Sequence, residues 1–234
     1  MQMKEYWCQH FDYDDTRVIV LDFDGVLYSA PTYDLEYADY LARMVSILSI
    51  ENWSIGDARK VLAANNIIDC KLYEHQDIRS ICEDKLGILI REYDDYRLDN
   101  PFFPRKSKIR TISPEILKRL SQRSKLIIVS NDSLAAIQKK AEILGIDLSV
   151  FTNAYTPTPY DDTEAFDKHA RYHQIINNYI LHGTEIYAVG TNYYTDIAPL
   201  IDEFGAGLLA DPTNCHDTEM FLEDKFLGGK NGFV

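Results

Sequence analysis

The sequence predicts an α/β fold: a Rossmann-like, three-layer core with a parallel sheet, into which an all-helical cap is inserted. Short apolar runs rich in β-branched residues, at 17–23, 125–130 and 185–190, are typical of strands buried on both faces of a parallel sheet. Helical and strand patterns alternate over the second half of the chain, as in a doubly wound sheet. Between the first and second runs only helical patterns occur, which predicts a separate helical unit.

The composition excludes several classes of protein. The 234 residues carry a formal net charge of -13 at pH 7, which disfavours nucleic acid or an anionic membrane as a partner. The four cysteines form no CxxC pair, so we expect reduced thiols and no zinc ribbon. The polar start of the chain has no apolar segment of a signal peptide, and no run reaches the roughly 20 apolar residues of a membrane span. The expected location is cytoplasmic; the sequence leaves the oligomeric state open.

The first half of the chain predicts one strand followed by helices. The strand covers Arg17–Phe23, and three helical segments follow it, at about 35–48, 55–64 and 73–86. The segment from Asn100 to Lys108 is rich in proline and charge and is typical of a hinge. We therefore predict two units with these boundaries: a helical cap at 30–105 and an α/β core at 16–29 and 106–234.

The second half predicts alternating helices and strands. Ser113 and Pro114 suit the N-cap and first position of a helix, and Gly145 suits the end of the next one. The further elements are expected in this order: strand 125–130, helix 134–144, a short strand at 150–151, helix 163–179, strand 185–190, helix 194–203 and strand 207–210. Open α/β sheets keep their active sites at the carboxyl ends of the strands, where the predicted cap is inserted.

Two aspartates follow directly after the first strand, in the sequence DFDGVL at 22–27. Carboxylates at i and i+2 point to the same side of a strand, and Gly25 lets the backbone turn beside them. Asp22 and Asp24 together are unfavourable unless a cation neutralises them, and Mg²⁺ suits hard oxygen ligands that share it with a phosphate. The alternative without a function is a turn aspartate followed by a solvated one.

This motif resembles the first motif of the haloacid dehalogenase superfamily, an apolar strand that ends in DxDG(T/V)(L/V). The resemblance implies a phosphatase in which Asp22 is the nucleophile that becomes an aspartyl-phosphate. Asp24 would be the general acid for the leaving group and then the base for water. Its backbone carbonyl would also contact Mg²⁺. The pair Leu27-Tyr28 resembles the branch that contains pyrimidine 5′-nucleotidases.

The second and fourth motifs of that family have partial counterparts. Ser130 ends the second core strand, and the resemblance implies that it and Asn131 bind the phosphoryl oxygens; a plain helix cap is the alternative. In the fourth motif the second acid is present as Asp196, an implied metal ligand together with Asp22 and Asp24. The first acid is replaced by Thr191, a weaker ligand. The alternative for Asp196 is an acid that stabilises a helix N-terminus.

The third motif is a lysine that balances the charge of nucleophile and phosphate. Tyr160 stands at its expected place. Lys168, His169 or Arg171, further along the same predicted helix, would have to supply the missing positive charge by reaching back. The alternative is that all three are surface residues.

Two functions are compatible with these motifs. The first is a Mg²⁺-dependent phosphohydrolase that cleaves a small phosphomonoester, such as a nucleotide or sugar phosphate, through an aspartyl-phosphate. The second is a catalytically degenerate protein that binds a phosphorylated ligand or a protein partner, which the replacements at Tyr160 and Thr191 favour. In the cap, Tyr33, Tyr37 and Tyr40 are candidates to cover a substrate ring.

Overall fold

The structure is a computed structural model that describes residues 4–7, 17–65, 67–68, 78–105, 108–157, 168–179, 184–201 and 206–228. Tyr160 lies outside the described residues. So do the first residues of two predicted helices, 73–77 and 163–167, and the last residues of a third, 202–203.

Eight strands occur in the described part of the chain: β1 (Lys4–Trp7), β2 (Arg17–Leu21), β3 (Tyr28–Ser29), β4 (Arg110–Thr111), β5 (Lys125–Val129), β6 (Asn153–Tyr155), β7 (Glu185–Gly190) and β8 (Ala206–Leu209). Six of them form one sheet in the order β1-β8-β7-β2-β5-β6. Within it β8, β7, β2, β5 and β6 are parallel, and β1 pairs antiparallel with β8. The predicted parallel α/β core is therefore confirmed.

The central strand β2 shows why these residues form such a sheet. Its side chains alternate between two buried clusters, with Ile19 and Leu21 on one face and Val18 and Val20 on the other. All four are fully buried. A continuous β-branched run suits this two-sided burial, because no position along the strand faces water.

The short strand predicted at 150–151 is wrong. A 3-10 turn covers Leu148–Val150, and β6 begins only at Asn153. Asp147 accepts a hydrogen bond from the backbone N–H of Ser149 at 2.9 Å, which stabilises the turn at the place where apolar residues alone suggested a strand.

The described part of the chain contains nine α-helices: α1 (Tyr33–Leu48), α2 (Ile55–Ala64), α3 (Ile78–Leu86), α4 (Ile90–Asp99), α5 (Pro114–Ser121), α6 (Leu134–Leu144), α7 (Lys168–Tyr179), α8 (Ala198–Ile201) and α9 (Cys215–Leu227). Two were not predicted. Helix α4 is rich in charge and buries only Tyr93, so it has no apolar stripe; α9 was missed as well. Residues Tyr193–Ile197, predicted as the start of a helix, form a π-helical turn that leads into α8. In the described ranges, no helix has the length and apolar character that crossing a membrane requires.

Helices α1 to α4 lie between β3 and β4, which pair antiparallel and bring the two ends of the helical insertion together. The segment predicted as a hinge is anchored, because Phe102 is buried edge-on against Tyr33 and Tyr37, with centroids 5.2 and 5.1 Å apart. The helical unit agrees with the predicted insertion, while its division from the core as a separate domain stays a prediction.

Helix α6 is well defined at both ends. The Ser133 hydroxyl accepts a hydrogen bond from the backbone N–H of Ala136 at 3.2 Å, and Gly145 ends the helix in the left-handed conformation with a φ of 69°. The predicted N-cap of α5 differs: the Ser113 side chain makes no capping hydrogen bond there. Both ends of α6 are therefore fixed, which fixes the position of the side chains that it directs toward the sheet.

Candidate active site

The carboxyl ends of three adjacent strands form the site. Asp22 follows β2, Ser130 follows β5 and Thr191 follows β7, and these strands are neighbours in the sheet. A cavity of about 80 Å³ lies at this edge. All six predicted site residues line it: Asp22, Asp24, Ser130, Asn131, Lys168 and Asp196. The insertion contributes five further side chains from α1, α3 and α4: Tyr33, Tyr37, Ile78, Tyr93 and Arg97.

The third tyrosine predicted to cover a substrate does not line this cavity. The hydroxyl of Tyr40 donates a hydrogen bond to the carbonyl oxygen of Asn100 at 2.8 Å. Its ring stacks on that of Tyr37 with the centroids 5.9 Å apart, so Tyr40 packs beside Tyr37 without lining the cavity. Tyr33 and Tyr37, four residues apart, share the face that meets the cavity.

Asp22 is buried, and its contacts with the described donors are all made by one carboxylate oxygen. Oδ1 accepts a hydrogen bond from the backbone N–H of Phe23 at 2.9 Å and lies 3.0 Å from the Lys168 ammonium. Among the described residues none donates to Oδ2. Burial raises the pKa of Asp22 to about 7; Lys168 lowers it, and Asp196 and Asp24 raise it. A carboxylate with one fixed and one open oxygen is the arrangement that a nucleophile requires.

Lys168, at the start of α7, joins Asp22 to Asp196. Its ammonium lies 3.0 Å from Asp22 Oδ1 and 2.8 Å from Asp196 Oδ1, and the residue is only 4% exposed. Burial lowers the pKa of Lys168, but the two carboxylates outweigh it and raise the pKa above its ordinary value. Of the three cations weighed from the sequence, Lys168 therefore supplies the charge beside Asp22.

The other two cations weighed from the sequence are Arg171 and His169. Arg171 donates to Gln174 at 3.4 Å on the exposed side of α7 and does not line the cavity. The side chain of His169 lies outside the described residues. One helical turn separates Lys168 from Tyr172, which is fully buried, so Lys168 shares the face of α7 that packs on the sheet.

Asp196 accepts four hydrogen bonds from the protein. Oδ1 accepts from Lys168 at 2.8 Å and from the Thr195 hydroxyl at 2.9 Å. Oδ2 accepts from the backbone amides of Thr191 and Asn192, both at 3.0 Å. Four bonds fill the acceptor capacity of a carboxylate. Asp196 thus holds both Lys168 and the loop after β7, and direct coordination of a metal would break one of these bonds.

Gly190 makes this arrangement of Asp196 possible. A Cβ at this position would lie 2.1 Å from Asp196 Cβ and 2.5 Å from its Oδ2, far inside van der Waals contact. We expect Gly190→Ala to displace Asp196 and with it Lys168, and to destabilise the fold by about 1–3 kcal/mol. Thermal unfolding measures this, and the same change at Gly56, whose Cβ would meet only Ser54 Oγ at 3.8 Å, is the control. Equal effects of the two changes on thermal unfolding would contradict the expected clash between a Cβ at position 190 and Asp196.

Ser130 is not a helix cap, because Ser133 is the N-cap of the helix that follows. Its backbone N–H donates to the carbonyl of Tyr155 at 3.1 Å, which continues the β5–β6 pairing. Its hydroxyl accepts a hydrogen bond from the backbone N–H of Asp132 at 3.2 Å, a local turn contact, and also lines the cavity together with Asn131. A hydroxyl that accepts in this way keeps its own proton for an oxygen in the cavity.

Asp24 is paired with a lysine that the sequence motifs do not include. The Lys140 ammonium lies 2.8 Å from both oxygens of Asp24, and the Tyr28 hydroxyl donates to Oδ1 at 2.6 Å. Burial raises the pKa of Asp24 to about 6, although Lys140 lowers it. Lys140 was detectable: it stands three residues after Ile137 and four before Leu144, on the apolar face predicted for α6.

Asp132 and Arg97 complete this second charge cluster. Lys140 also contacts Asp132 Oδ2, and Arg97 Nη2 from α4 lies 3.6 Å from Asp132 Oδ1. Burial raises the pKa of Asp132, but Lys140 and Arg97 more than offset this and hold it below its ordinary value. Asp132 stands two residues after Ser130, as Asp24 does after Asp22, and this spacing is a weak sequence signal for a site residue. No sequence signal indicated Arg97, because its helix was not predicted.

The predicted metal ligands fit a magnesium ion only in part. Among the described residues, no three His, Cys, Asp or Glu side chains are grouped to hold a metal. Lys140 occupies both oxygens of Asp24, and protein donors fill those of Asp196. Asp22 alone keeps an open oxygen, which fits Mg²⁺ because that ion prefers one or two carboxylates completed by phosphate and water.

The charges joined by these contacts do not balance. Four carboxylates (Asp22, Asp24, Asp132 and Asp196) meet three cations (Lys140, Lys168 and Arg97), which leaves a net charge of -1 when all are ionised. A phosphate dianion would add two further negative charges. The site therefore favours an additional cation when a phosphate is bound.

No protein-family model and no curated protein sequence matches the chain. Among solved structures, it is similar to the HAD domain of effector protein Lem4 from Legionella pneumophila, with 15% identity, a TM-score of 0.45 and coverage of 90% of this chain and 94% of that one. A haloacid dehalogenase-like family hydrolase from Streptococcus pneumoniae gives 15% identity, a TM-score of 0.44 and coverage of 82% and 93%. A predicted phosphoglycolate phosphatase from Haemophilus somnus gives 17% identity, a TM-score of 0.39 and coverage of 86% of this chain and 96% of that one.

These identities and TM-scores are too low to carry an argument on their own. The chain itself supplies the stronger observations: a parallel sheet with β2 at its centre, a helical insertion after that strand, and Asp22, Ser130 and Lys168 around one cavity at the carboxyl edge. On this strand order and placement, the chain has a parallel, Rossmann-like α/β fold with a helical insertion after β2, and its first motif resembles that of the haloacid dehalogenase superfamily.

Proposed function

We propose that this protein is a phosphohydrolase that cleaves a small phosphomonoester through a covalent aspartyl-phosphate on Asp22. The observation that supports the proposal is Asp22 in the lining of the cavity, with Lys168 3.0 Å from its Oδ1 and no described residue that donates to its Oδ2. Ser130 and Asn131 line the same cavity and offer donors to the phosphoryl oxygens. This combination supports nucleophilic attack on a phosphate better than a purely structural ion pair.

Two steps account for the chemistry. First, Asp22 Oδ2 forms a bond to phosphorus and the ester P–O bond breaks. The leaving oxygen keeps the electron pair of that bond and receives a proton from Asp24. Next, the Asp24 carboxylate takes a proton from water as the water oxygen attacks phosphorus, and the bond to Asp22 breaks to release inorganic phosphate. Lys168 stabilises the negative charge that accumulates between Asp22 and the phosphoryl group.

The size of the cavity favours a small substrate. Its volume of about 80 Å³ is well below the roughly 300–1,000 Å³ of pockets that hold drug-sized ligands. Tyr33, Tyr37 and Tyr93 of the helical insertion also line the cavity. We propose a phosphomonoester with few atoms beyond the phosphate, in preference to a nucleotide.

Mg²⁺ is proposed to enter together with the phosphate. Asp22 would hold it through its open oxygen, and the substrate phosphate and water would supply the other ligands. When bound, the ion supplies the positive charge that the three cations of the site lack. Asp196 contributes indirectly in this proposal, by fixing Lys168 at 2.8 Å.

Introducing the missing acid should strengthen the binding of this ion. We expect Thr191→Asp to lower the Mg²⁺ concentration for half-maximal turnover by roughly tenfold, because a second carboxylate would face the cavity beside Asp22. A magnesium titration of turnover measures this. Thr191→Asn, of equal size and without charge, is the matched control; the same shift in both variants would contradict a charge effect.

The proposed function is tested by the hydrolysis of an aryl phosphate, with Mg²⁺ and with a chelator, by the wild type and by Asp22→Asn. We expect Mg²⁺-stimulated release of phosphate by the wild type and none by the variant. Acid quenching of the wild type with labelled substrate should trap a phosphorylated protein. Equal activity of the two proteins would show that Asp22 is not the nucleophile.

A second candidate is a degenerate protein that binds a phosphorylated ligand without turnover. Thr191 at the place of an acid and the four protein donors on Asp196 favour it. It predicts that inorganic phosphate binds with little dependence on Mg²⁺, because Lys168 and Arg97 supply the charge. Calorimetric titration with phosphate, together with a panel of phosphomonoesters that all stay intact, would favour this candidate over the hydrolase.

A further inference from the structure

The buried cluster around Lys140 lies next to the reacting groups, but the two-step chemistry does not use it. We infer that Lys140 is a positioning residue for Asp24, which keeps that side chain oriented and able to act as a base in the second step. The inference rests on the proposed function. It names a residue that none of the sequence motifs contains.

The contacts fix Asp24 from two sides. Lys140 Nζ lies 2.8 Å from Oδ1 and 2.8 Å from Oδ2, so the ammonium straddles the carboxylate. Tyr28 donates to Oδ1 at 2.6 Å from the strand that follows the turn. These three contacts leave the carboxylate little freedom to rotate. The remaining exposed part of Asp24 faces the cavity, where 13% of its side chain is accessible.

The burial of Lys140 argues for a specific role. The residue is 4% exposed and stands on the apolar face of α6, where an ammonium is costly unless it is paired and hydrogen-bonded. Its neighbour Lys139 is exposed, so the helix does not lack a solvent-facing lysine. The ammonium contacts both oxygens of Asp24, which holds this carboxylate in one orientation at the cavity.

The rival explanation is that Lys140 serves Asp132 alone. Lys140 contacts Asp132 as well as Asp24, and Arg97 reaches Asp132 at 3.6 Å from the helical insertion. In that case Lys140 would only neutralise a buried acid and tie α6 to the loop after β5. The two explanations differ in the step that they affect. Positioning of Asp24 concerns the hydrolysis of the phosphorylated protein, whereas a purely structural role concerns folding.

A charge-matched pair of variants separates them. Lys140→Met alone would leave Asp24 without a cation and Asp132 with Arg97 only, which would destabilise the fold, so it is made together with Asp132→Asn, which removes one anion. The reference is Asp132→Asn alone, which keeps Lys140 beside Asp24. Thermal melts establish that both are folded. Lys139→Met is the control for loss of a lysine from the same helix, and we expect wild-type activity from it.

The substrate is 4-nitrophenyl phosphate, whose leaving group departs without help from an acid. In the first step Asp22 attacks, and this step sets kcat/KM; the second step, which needs Asp24 as a base, sets kcat when it is slow. We expect the double variant to release a burst of one nitrophenolate per protein. Steady turnover should then be roughly 100-fold slower than in Asp132→Asn, with kcat/KM little changed. Acid quenching should recover the phosphorylated protein.

Two results would overturn the inference. One is a folded double variant with the kcat of Asp132→Asn; the other is a parallel loss of kcat and kcat/KM without a burst. Asp132→Asn/Lys140→Arg, which restores a charge with a different shape, should recover part of the lost kcat. Absence of Asp22-dependent turnover in the wild type would instead overturn the proposed function, and this inference with it.

Discussion

Replacing Asp22 by asparagine should abolish turnover while making the fold more stable. Asparagine has nearly the same shape, and its oxygen can still accept from Phe23 and Lys168, so the site should keep its geometry. An amide is no nucleophile, and we expect kcat to fall by roughly 10⁴-fold or more. Stability should rise by about 1–2 kcal/mol, because the variant balances the three remaining carboxylates of the site with three cations.

Phosphate release and thermal unfolding measure the two effects on the same preparation. The control is Asp57→Asn, since Asp57 is an exposed carboxylate in α2 that pairs with Lys60 at 3.1 Å. That change should leave both activity and stability near the wild-type values. An Asp22→Asn protein that loses activity and also unfolds more easily would indicate that Asp22 is a structural ion pair.

Replacing Lys168 by methionine should cost both activity and stability. Lys168 is buried, and it is the cation between Asp22 and Asp196, at 3.0 and 2.8 Å. Its removal leaves two buried carboxylates without compensation, which typically costs about 3–5 kcal/mol. In a chain of this length we expect a fall in Tm of roughly 10 °C. Turnover should be lost, since phosphate would then meet two uncompensated negative charges.

A double-mutant cycle makes this prediction specific. In Asp22→Asn/Lys168→Met one of the two carboxylates is neutral, so the lysine should cost less stability there than in the wild type. Lys118→Met, at an exposed position of α5, controls for the loss of a lysine elsewhere. Equal costs of Lys168→Met in the presence and absence of Asp22 would mean that the two side chains do not interact.

The central strands β2, β5 and β7 could be predicted because the local pattern and the final environment agree, whereas β1, β3 and β4 were not predicted. The β-branched run of β2 and the predicted strand at Glu185–Gly190 are buried in the structure, and the helix predicted at Ile55–Ala64 has those bounds. The pair Asp22 and Asp24 was recognisable for the same reason, since its spacing places both side chains at the end of a strand. Helix α4 was missed because its sequence is charged and buries only Tyr93, so it shows no apolar period.

The lysine beside Asp24, Lys140, also escaped prediction. A lysine on an apolar helix face is uncommon, and the pattern of α6 was predicted from its apolar residues alone. What makes Lys140 tolerable is Asp24, 116 positions earlier in the chain, and Asp132. Arg97 likewise approaches Asp132 from a helix of the insertion. Such pairings depend on contacts between distant segments, which local propensity does not encode.

The sequence by itself determined the parallel α/β core, the helical insertion and the two aspartates at the end of the first core strand. These features follow from periodicity and from the spacing of residues along one element, which are local properties. Tertiary structure alone decided which of three cations faces Asp22, how Asp196 is occupied, and that Lys140 holds Asp24. Burial supplies the physical reason: a charge removed from water must be paired, and only the folded chain determines which partner lies within reach.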